Sequence, residues 1–290
     1  MQKEIKQNAK LVDKFLKKYF KSQQFSNLLP AMQYGTLFGG KKIRSTIILN
    51  AAKLFKLKTS KVINICAAVE CIHSYSLIHD DLPCMDNDNF RRGKPSTHKK
   101  FGESTAILAG NSLLTLAFEI IMDKKFKVNS EIKVKLAKKL AECAGHLGIA
   151  GGQFLDLTYE KKKVSFFKVI DMQKKKTGKL FEFCCLAPTI VSNKNSKTKR
   201  EMAKVGQEIG FLFQIADDLL DIKGSKKKTG KPVNKDKKKG KSTLIELRGY
   251  KKTLEFALNR KKMIIKKLQK FGNNSKKLIQ ISDFILERSY

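Results

Sequence analysis

Tryptophan is absent from this chain of 290 residues, and proline nearly so. The five prolines (30, 83, 95, 188 and 232) fall near expected helix ends or loops. Long helices are therefore permitted almost throughout. The six cysteines (66, 71, 84, 143, 184 and 185) form no C-x-x-C pair and mostly lie in apolar helical surroundings. That pattern excludes a zinc cluster or a disulfide framework and predicts reduced core residues of a cytoplasmic protein. Arginine is scarce too: only seven of 61 basic residues. A net charge of +35 invites a nucleic-acid reading, yet base readers rely on arginine and on stacked aromatics among basic groups. Lysine spread along nearly every helix reads instead as solvated helix faces, with no nucleic-acid partner expected. The N-terminal stretch has no signal-peptide core and carries Glu4 and Asp13, which argue against a transit peptide. Its amphipathic pattern suits a packing helix, and no apolar run is expected to reach the length of a membrane span.

Acids are rare against this background, and four of the 26 fall within nine residues: Asp80, Asp81, Asp86 and Asp88. The apolar run Val62 to Ile78 reads as a buried helix that delivers Asp80 and Asp81 at its C-terminal end, where the helix dipole favours cations. Pro83 then ends the helix. On an unbroken helix, residues six apart point about 120° away from each other, so Asp80 and Asp86 converge only if the chain bends between them. A solvated acidic turn accounts equally well for one DDxxxxD motif. A second cluster, Asp217, Asp218 and Asp221, changes the weighing. Asp217 and Asp221 share one face of an apolar helix, Val205 to Ile222, where carboxylates are costly unless neutralised. Two acidic patches at the ends of apolar helices suggest one site closed from both sides, and oxygen-only ligands suit Mg²⁺.

Other stretches fill in the plan. Gly39-Gly40-Lys41-Lys42-Ile43-Arg44 opens a helix expected to run to about Phe55. Another is expected from Phe101 to Met122, with Asn111 where an acid would be unsurprising. Gly151-Gly152 interrupts helices ahead of Gln153 and Asp156, and Ser165 is placed to cap a helix from Phe166 to Lys176. Lys176-Thr177-Gly178 breaks or bends an apolar stretch continuing to Ala187. Residues 223–242, with nine lysines and three glycines after position 223, read as a mobile loop. Two or three amphipathic helices from Thr243 to Tyr290 complete a single all-helical domain, 1–290.

With GGKKIR upstream and KTG between the two aspartate motifs, the chain from about Leu28 onward resembles the trans-isoprenyl diphosphate synthases, specifically the bacterial farnesyl diphosphate synthase type. The resemblance implies an all-α helical bundle around a deep cavity, a homodimer, and Mg²⁺-dependent 1'-4 condensation of an allylic diphosphate with isopentenyl diphosphate. It implies three Mg²⁺, for which Mn²⁺ can substitute. Asp80, Asp86, Asp217 and Asp221 would be the ligands, with Asp81 and Asp218 beside them. Arg91 and Lys176 join these carboxylates as catalytic groups. Lys41, Arg44, His73 and Arg92 would bind isopentenyl diphosphate. Arg91, Lys176, Thr177, Gln214, Lys231 and Lys241 would bind the allylic diphosphate, while Gln153 and Asp156 would support the cavity. Tyr75, five residues before Asp80, would floor the product cavity. A helical turn rises about 5.4 Å, close to one isoprene unit, so a bulky ring there stops elongation early. Together with small Ser76 and the two extra residues Pro83 and Cys84, this implies farnesyl diphosphate, with geranylgeranyl diphosphate the near alternative. A terpene cyclase, a silent partner subunit and a polyanion-binding protein are the remaining classes.

Overall fold

The computed structural model of the protein describes residues 1–37, 39–223, 241 and 243–287. Among the described residues, thirteen α-helices carry most of the fold. α1 (Gln2–Lys21) buries Ile5, Val12, Leu16 and Phe20, a one-sided stripe that packs it on the bundle as its pattern predicts. α2 (Leu29–Leu37) and α3 (Ile43–Leu54) follow, and α3 ends within a residue of expectation.

α4 (Ile63–Asp80) is the axis. Ile65, Cys66, Ala67, Ala68, Val69, Cys71 and Ile72 are all fully buried, so every face of its first half is covered. A helix covered on every face and apolar on most of them has nowhere stable to go but the centre. Fully burying an aliphatic side chain contributes about 1.5–3 kcal/mol, so α4 anchors the core thermodynamically as well as spatially. α1, α2, α3 and α6 pack around it.

The stretch expected as one helix from Phe101 is divided at Gly102, whose φ of 85° no ordinary residue adopts easily. α5 (Thr97–Phe101) ends there and α6 (Glu103–Met122) begins. α6 corrects a second expectation. It is long and apolar enough to cross a bilayer by length and composition, although Ala106, Ala109, Gly110, Leu113 and Ala117 are buried and its chief neighbour is α4.

α7 (Ser130–Ala144) leads to α8 (Ile149–Thr158), which contains Gly151 and Gly152 rather than stopping at them. The pair serves close approach: a Cβ on Gly152 would lie 2.0 Å from the backbone nitrogen of Lys176. α9 (Phe166–Gln173) starts after Ser165, as expected, but the Ser165 side chain makes no capping bond. The KTG stretch does not break the helix. Lys174–Gly178 forms a single π-turn that passes directly into α10 (Lys179–Val191). α10 continues through Pro188 to Val191, beyond the expected stop at Ala187, because the proline sits in the last turn where little helix follows.

α11 (Ser196–Lys223) crosses α10 at glycine contacts: a Cβ on Gly210 would come within 2.8 Å of the Gly178 Cα. α12 (Leu244–Gln269), bent at Gly249, and α13 (Lys276–Glu287) close the bundle. Five cysteines are buried and free, while Cys84 is exposed. The only strands among the described residues are Phe90–Arg91 and Lys94–Pro95, a minimal antiparallel hairpin.

Candidate active site

The first aspartate motif folds back on itself. α4 ends at Asp80, and the amides of Asp86 and Asp88 donate to the carbonyls of Asp80 (2.8 Å) and Asp81 (3.1 Å). The bend expected from Pro83 thus brings Asp86 back beside Asp80. Asp80 is held in poor surroundings for a carboxylate. Burial pushes its pKa up to about 6, with Asp86 adding to the rise while Lys176, Arg91 and Lys241 oppose it.

Asp81, which the resemblance places beside the metal ligands, is engaged by a cation of the protein itself. Buried at 2% exposure, it accepts the Arg91 guanidinium, with Nε at 3.1 and 3.0 Å from its two oxygens and Nη2 also bonded. Asp88 adds a second carboxylate 3.8 Å from Arg91. Burial works to weaken the Arg91 charge, but the hydrogen bonds and charge of Asp81 prevail and strengthen it. Arg91 is thus fixed in direction. The hairpin behind it turns on Arg92 (φ 54°) and Gly93 (φ 76°), so consecutive arginines diverge, and Arg92 donates to the Gly39 carbonyl at 2.7 Å.

On the facing wall, α11 presents Asp217 to the interior. Asp218, 3% exposed, accepts from Gln173 (2.9 Å) and Gln214 (2.9 Å), and Thr177 donates to the Gln214 oxygen at 2.9 Å. Asp218 therefore orients the wall rather than facing the interior.

Arg44, His73, Ser76, Asp80, Arg91, Arg92, Lys176, Thr177, Gln214 and Asp217 all line one cavity of about 320 Å³, closed further by Leu77, Ile149, Gln153 and Phe213. With Gln153, eleven residues singled out along the sequence thus meet in one space. Arg44 enters it over the faces of Phe181 (4.8 Å) and Phe213 (5.9 Å), an arrangement that favours a desolvated guanidinium. Burial, reinforced by Arg44, Arg92, Arg91 and Lys42, holds the His73 pKa well below its ordinary value, so the imidazole is neutral.

Several expected site residues lie beside the cavity rather than on its wall. Lys41 is exposed, its ammonium 5.5 Å from the Phe284 ring. Tyr75 is packed below: its hydroxyl donates to the Ala144 carbonyl at 3.3 Å and its ring meets His79 edge-on at 5.8 Å. Asp221 is half-buried outside the lining set. Lys241 reaches Asp86 at 2.9 Å and Asp156 at 2.7 Å. Lys231 and nearly all of the segment expected to be mobile lie outside the described residues.

Asp156 and Gln153, which the resemblance implies as supports of the cavity, are both buried. Asp156 accepts from Lys176 (2.7 Å) as well as Lys241 and so joins both cations. Burial would raise its pKa, but the two lysines hold it below the usual carboxylate range. Gln153, 5% exposed, lines the cavity with neither amide atom hydrogen-bonded inside the protein. Beyond the resemblance, the only local signal for either was a polar residue following paired glycines.

The donor set fits a hard divalent cation. Among the described residues no group of three acidic, histidine or cysteine side chains closes on one point. Asp80 and Asp217 instead face the cavity from opposite walls, with Asp86 next to Asp80. Mg²⁺ tolerates such an arrangement because it keeps water ligands and shares substrate phosphates.

This is the constellation of a prenyl-transferring helical bundle, and residues 26–282 match the polyprenyl synthetase model. The chain belongs to the polyprenyl synthetase family. It is 38% identical over 280 residues to the farnesyl diphosphate synthase of Micrococcus luteus, covering 96% of this chain and 94% of the relative. It is 39% identical over 243 residues to that of Bacillus subtilis (strain 168), covering 82% of each. Geranylgeranyl pyrophosphate synthase 4 of Arabidopsis thaliana is 39% identical over 268 residues, 91% of this chain and 72% of that protein. Among solved structures, the apo FPP/GFPP synthase of Zymomonas mobilis superposes with a TM-score of 0.87 at 33% identity, over 98% of this chain and 100% of that one. The geranyltransferase of Helicobacter pylori, complexed with magnesium and isoprenyl diphosphate, gives 0.84 at 26% identity, over 99% and 96%.

Proposed function

We propose that the protein is a prenyltransferase that joins isopentenyl diphosphate head to tail to dimethylallyl and then geranyl diphosphate, yielding farnesyl diphosphate. The observation that carries this reading is the single cavity in which two carboxylates on opposite walls share the space with three arginines, a neutral histidine and the Lys176-Thr177 turn. One diphosphate needs cations and donors; two need two such sets, and the cavity has both.

On the allylic side Arg91, fixed by Asp81, and Lys176, fixed by Asp156, donate to the diphosphate, with the hydrogen-bonded pair Thr177 and Gln214 completing the subsite. Lys241 and Lys231 belong to the same subsite. Arg44, Arg92, His73 and Lys41 take isopentenyl diphosphate. Asp80, Asp86, Asp217 and Asp221 would hold magnesium, three ions in all and replaceable by manganese, and when bound it would neutralise the charge that grows on the leaving pyrophosphate. The allylic C–O bond breaks, and its electron pair leaves with pyrophosphate. The isopentenyl double bond attacks the resulting cation, and the proton lost from the adjacent carbon goes to the departing pyrophosphate. His73, held neutral, serves as a hydrogen-bonding group rather than a base. Ser76 opens onto the cavity and Tyr75 blocks the space beneath it, which favours a C15 product.

The chain works as a single domain in a cytoplasmic homodimer. Exposed Ile107 and Leu108 on α6 and Phe154 on α8 support a covered apolar face. Purified protein incubated with isopentenyl and dimethylallyl diphosphates, with Mg²⁺ or EDTA, tests the reading. A Mg²⁺-dependent C15 chain is expected; a C20 chain keeps the reaction and removes Tyr75 as the stop. No condensation by folded protein refutes the activity.

A further inference from the structure

The turn that presents Arg44 is built in an unusual way. Gly39 (φ 75°) and Gly40 (φ 96°) are left-handed, as glycines readily are, and so is Lys42, with φ 44° and ψ 48°. A residue with a Cβ is disfavoured there, and glycine would take the same backbone without strain. The lysine must therefore be accounted for by its side chain.

That side chain does not enter the cavity. It is 3% exposed and runs inward, where its ammonium donates to the Thr36 carbonyl at 2.9 Å, near the C-terminus of α2. It also pairs with Asp13 of α1 at 3.3 Å and lies 4.0 Å from Glu70 of α4. Glu70, 3% exposed, accepts from the amide (3.3 Å) and hydroxyl (2.7 Å) of Ser45, the residue after Arg44. Glu70 also stands three residues before His73, one helical turn along α4. A buried chain of charges thus joins α1, α2, α3 and α4 directly behind two groups that line the cavity. Burial pulls the Arg44 pKa down, and Glu70 is the first of the charges that resist it.

We propose that Lys42 is a positioning residue for the isopentenyl diphosphate subsite. Its buried ammonium clamps the 39–42 turn onto Thr36, Asp13 and Glu70, and so sets the entry of Arg44. The inference rests on the reading of the cavity given above. The allylic subsite is built from the C-terminal end of α4, the π-turn and α11, none of which Lys42 touches, so the clamp acts on one substrate only.

The test is steady-state kinetics with each diphosphate varied in turn, on the full-length protein with Mg²⁺. Wild-type condensation is measured first; its absence refutes the activity itself and is distinct from any result with a variant. Lys42→Met is expected to raise KM for isopentenyl diphosphate roughly tenfold or more, with KM for geranyl diphosphate changed less than about twofold. Removing the cation leaves Glu70 buried without its partner, so Lys42→Met combined with Glu70→Gln restores charge balance and is expected to recover stability but not the isopentenyl KM. Lys42→Gly relieves the left-handed backbone while removing the clamp, and the same rise is expected. Lys42→Arg keeps the charge, but its planar fork cannot occupy the ammonium position, and a smaller rise confined to isopentenyl diphosphate is expected. In whichever variants fold, an unchanged isopentenyl KM, or equal rises for both substrates, overturns the proposal. Failure of all four to fold overturns it too, by making Lys42 a folding residue.

Discussion

Replacing Asp156 with asparagine should affect stability and catalysis together, and the structure sets the scale. Asp156 is 7% exposed and receives the ammonium groups of Lys176 and Lys241, each at 2.7 Å. A charge-assisted hydrogen bond contributes about 1.5–3 kcal/mol, and removing one partner of a buried pair costs about 3–5 kcal/mol. Lys176 retains some access to water, with its side chain 23% exposed, so the lower end applies. A loss of about 3 kcal/mol corresponds to a fall in Tm of roughly 6–12 °C for a protein of this size. The sign with pH follows from the depressed pKa of Asp156. A carboxylate held below its unfolded value stabilises the fold above that value, near 3.8, and the contribution is lost as pH falls through the folded value. The wild type should therefore exceed the variant at pH 7, and the gap should close on acidification below about pH 4. Urea denaturation in EDTA, followed by circular dichroism from pH 3 to 7, reads this directly. Variant stability within about 0.5 kcal/mol of wild type at pH 7 would refute the idea that Asp156 is the hub of this cluster.

Three further outcomes are expected. Asp80→Asn should stabilise the metal-free protein at pH 8 by up to about 3 kcal/mol, because a carboxyl raised from 3.8 to about 6 is costly to keep ionised above pH 6 and costs nothing below pH 3.8. The same substitution should lower kcat by orders of magnitude; denaturation in EDTA and turnover in Mg²⁺ measure the two effects. Gly152→Ala should destabilise the protein by roughly 1–3 kcal/mol and lower kcat, since the new methyl would lie 2.0 Å from the Lys176 nitrogen and displace the π-turn. Tyr75→Ala should lengthen the product, as read by chromatography of the dephosphorylated prenols; an unchanged C15 product would place the stop elsewhere.

How much of this could be read in advance depended on where the information resides. The helical architecture was legible because scarce proline and apolar periodicity are local properties, and α4 was recognisable because most of its faces are apolar. Convergence of Asp80 and Asp217 was legible because two clusters of costly carboxylates imply a shared neutraliser. The commitments of Asp81 to Arg91 and of Asp218 to Gln173 and Gln214 were not, since adjacent carboxylates look alike until their partners are placed. Gly151-Gly152 looked like a break because glycine marks both turns and close contacts; only the proximity of Lys176 distinguishes them. Lys42 was hidden among lysines, with nothing in its own neighbourhood to separate a buried ammonium from a solvated one.

The π-turn at Lys174–Gly178 places one residue more in its turn than an α-helix would hold. Each residue rotates an α-helix by about 100°, so removing one from this stretch would leave a smoother helix and yet swing everything after it out of phase. Gly178 and Phe181 would no longer face Gly210, and Glu182 would lose Gln207, its 2.6 Å partner on α11. Length variation among descendants of this chain is thus barred at a place where the backbone looks locally irregular. The irregularity acts as a reading frame for the second half of the bundle.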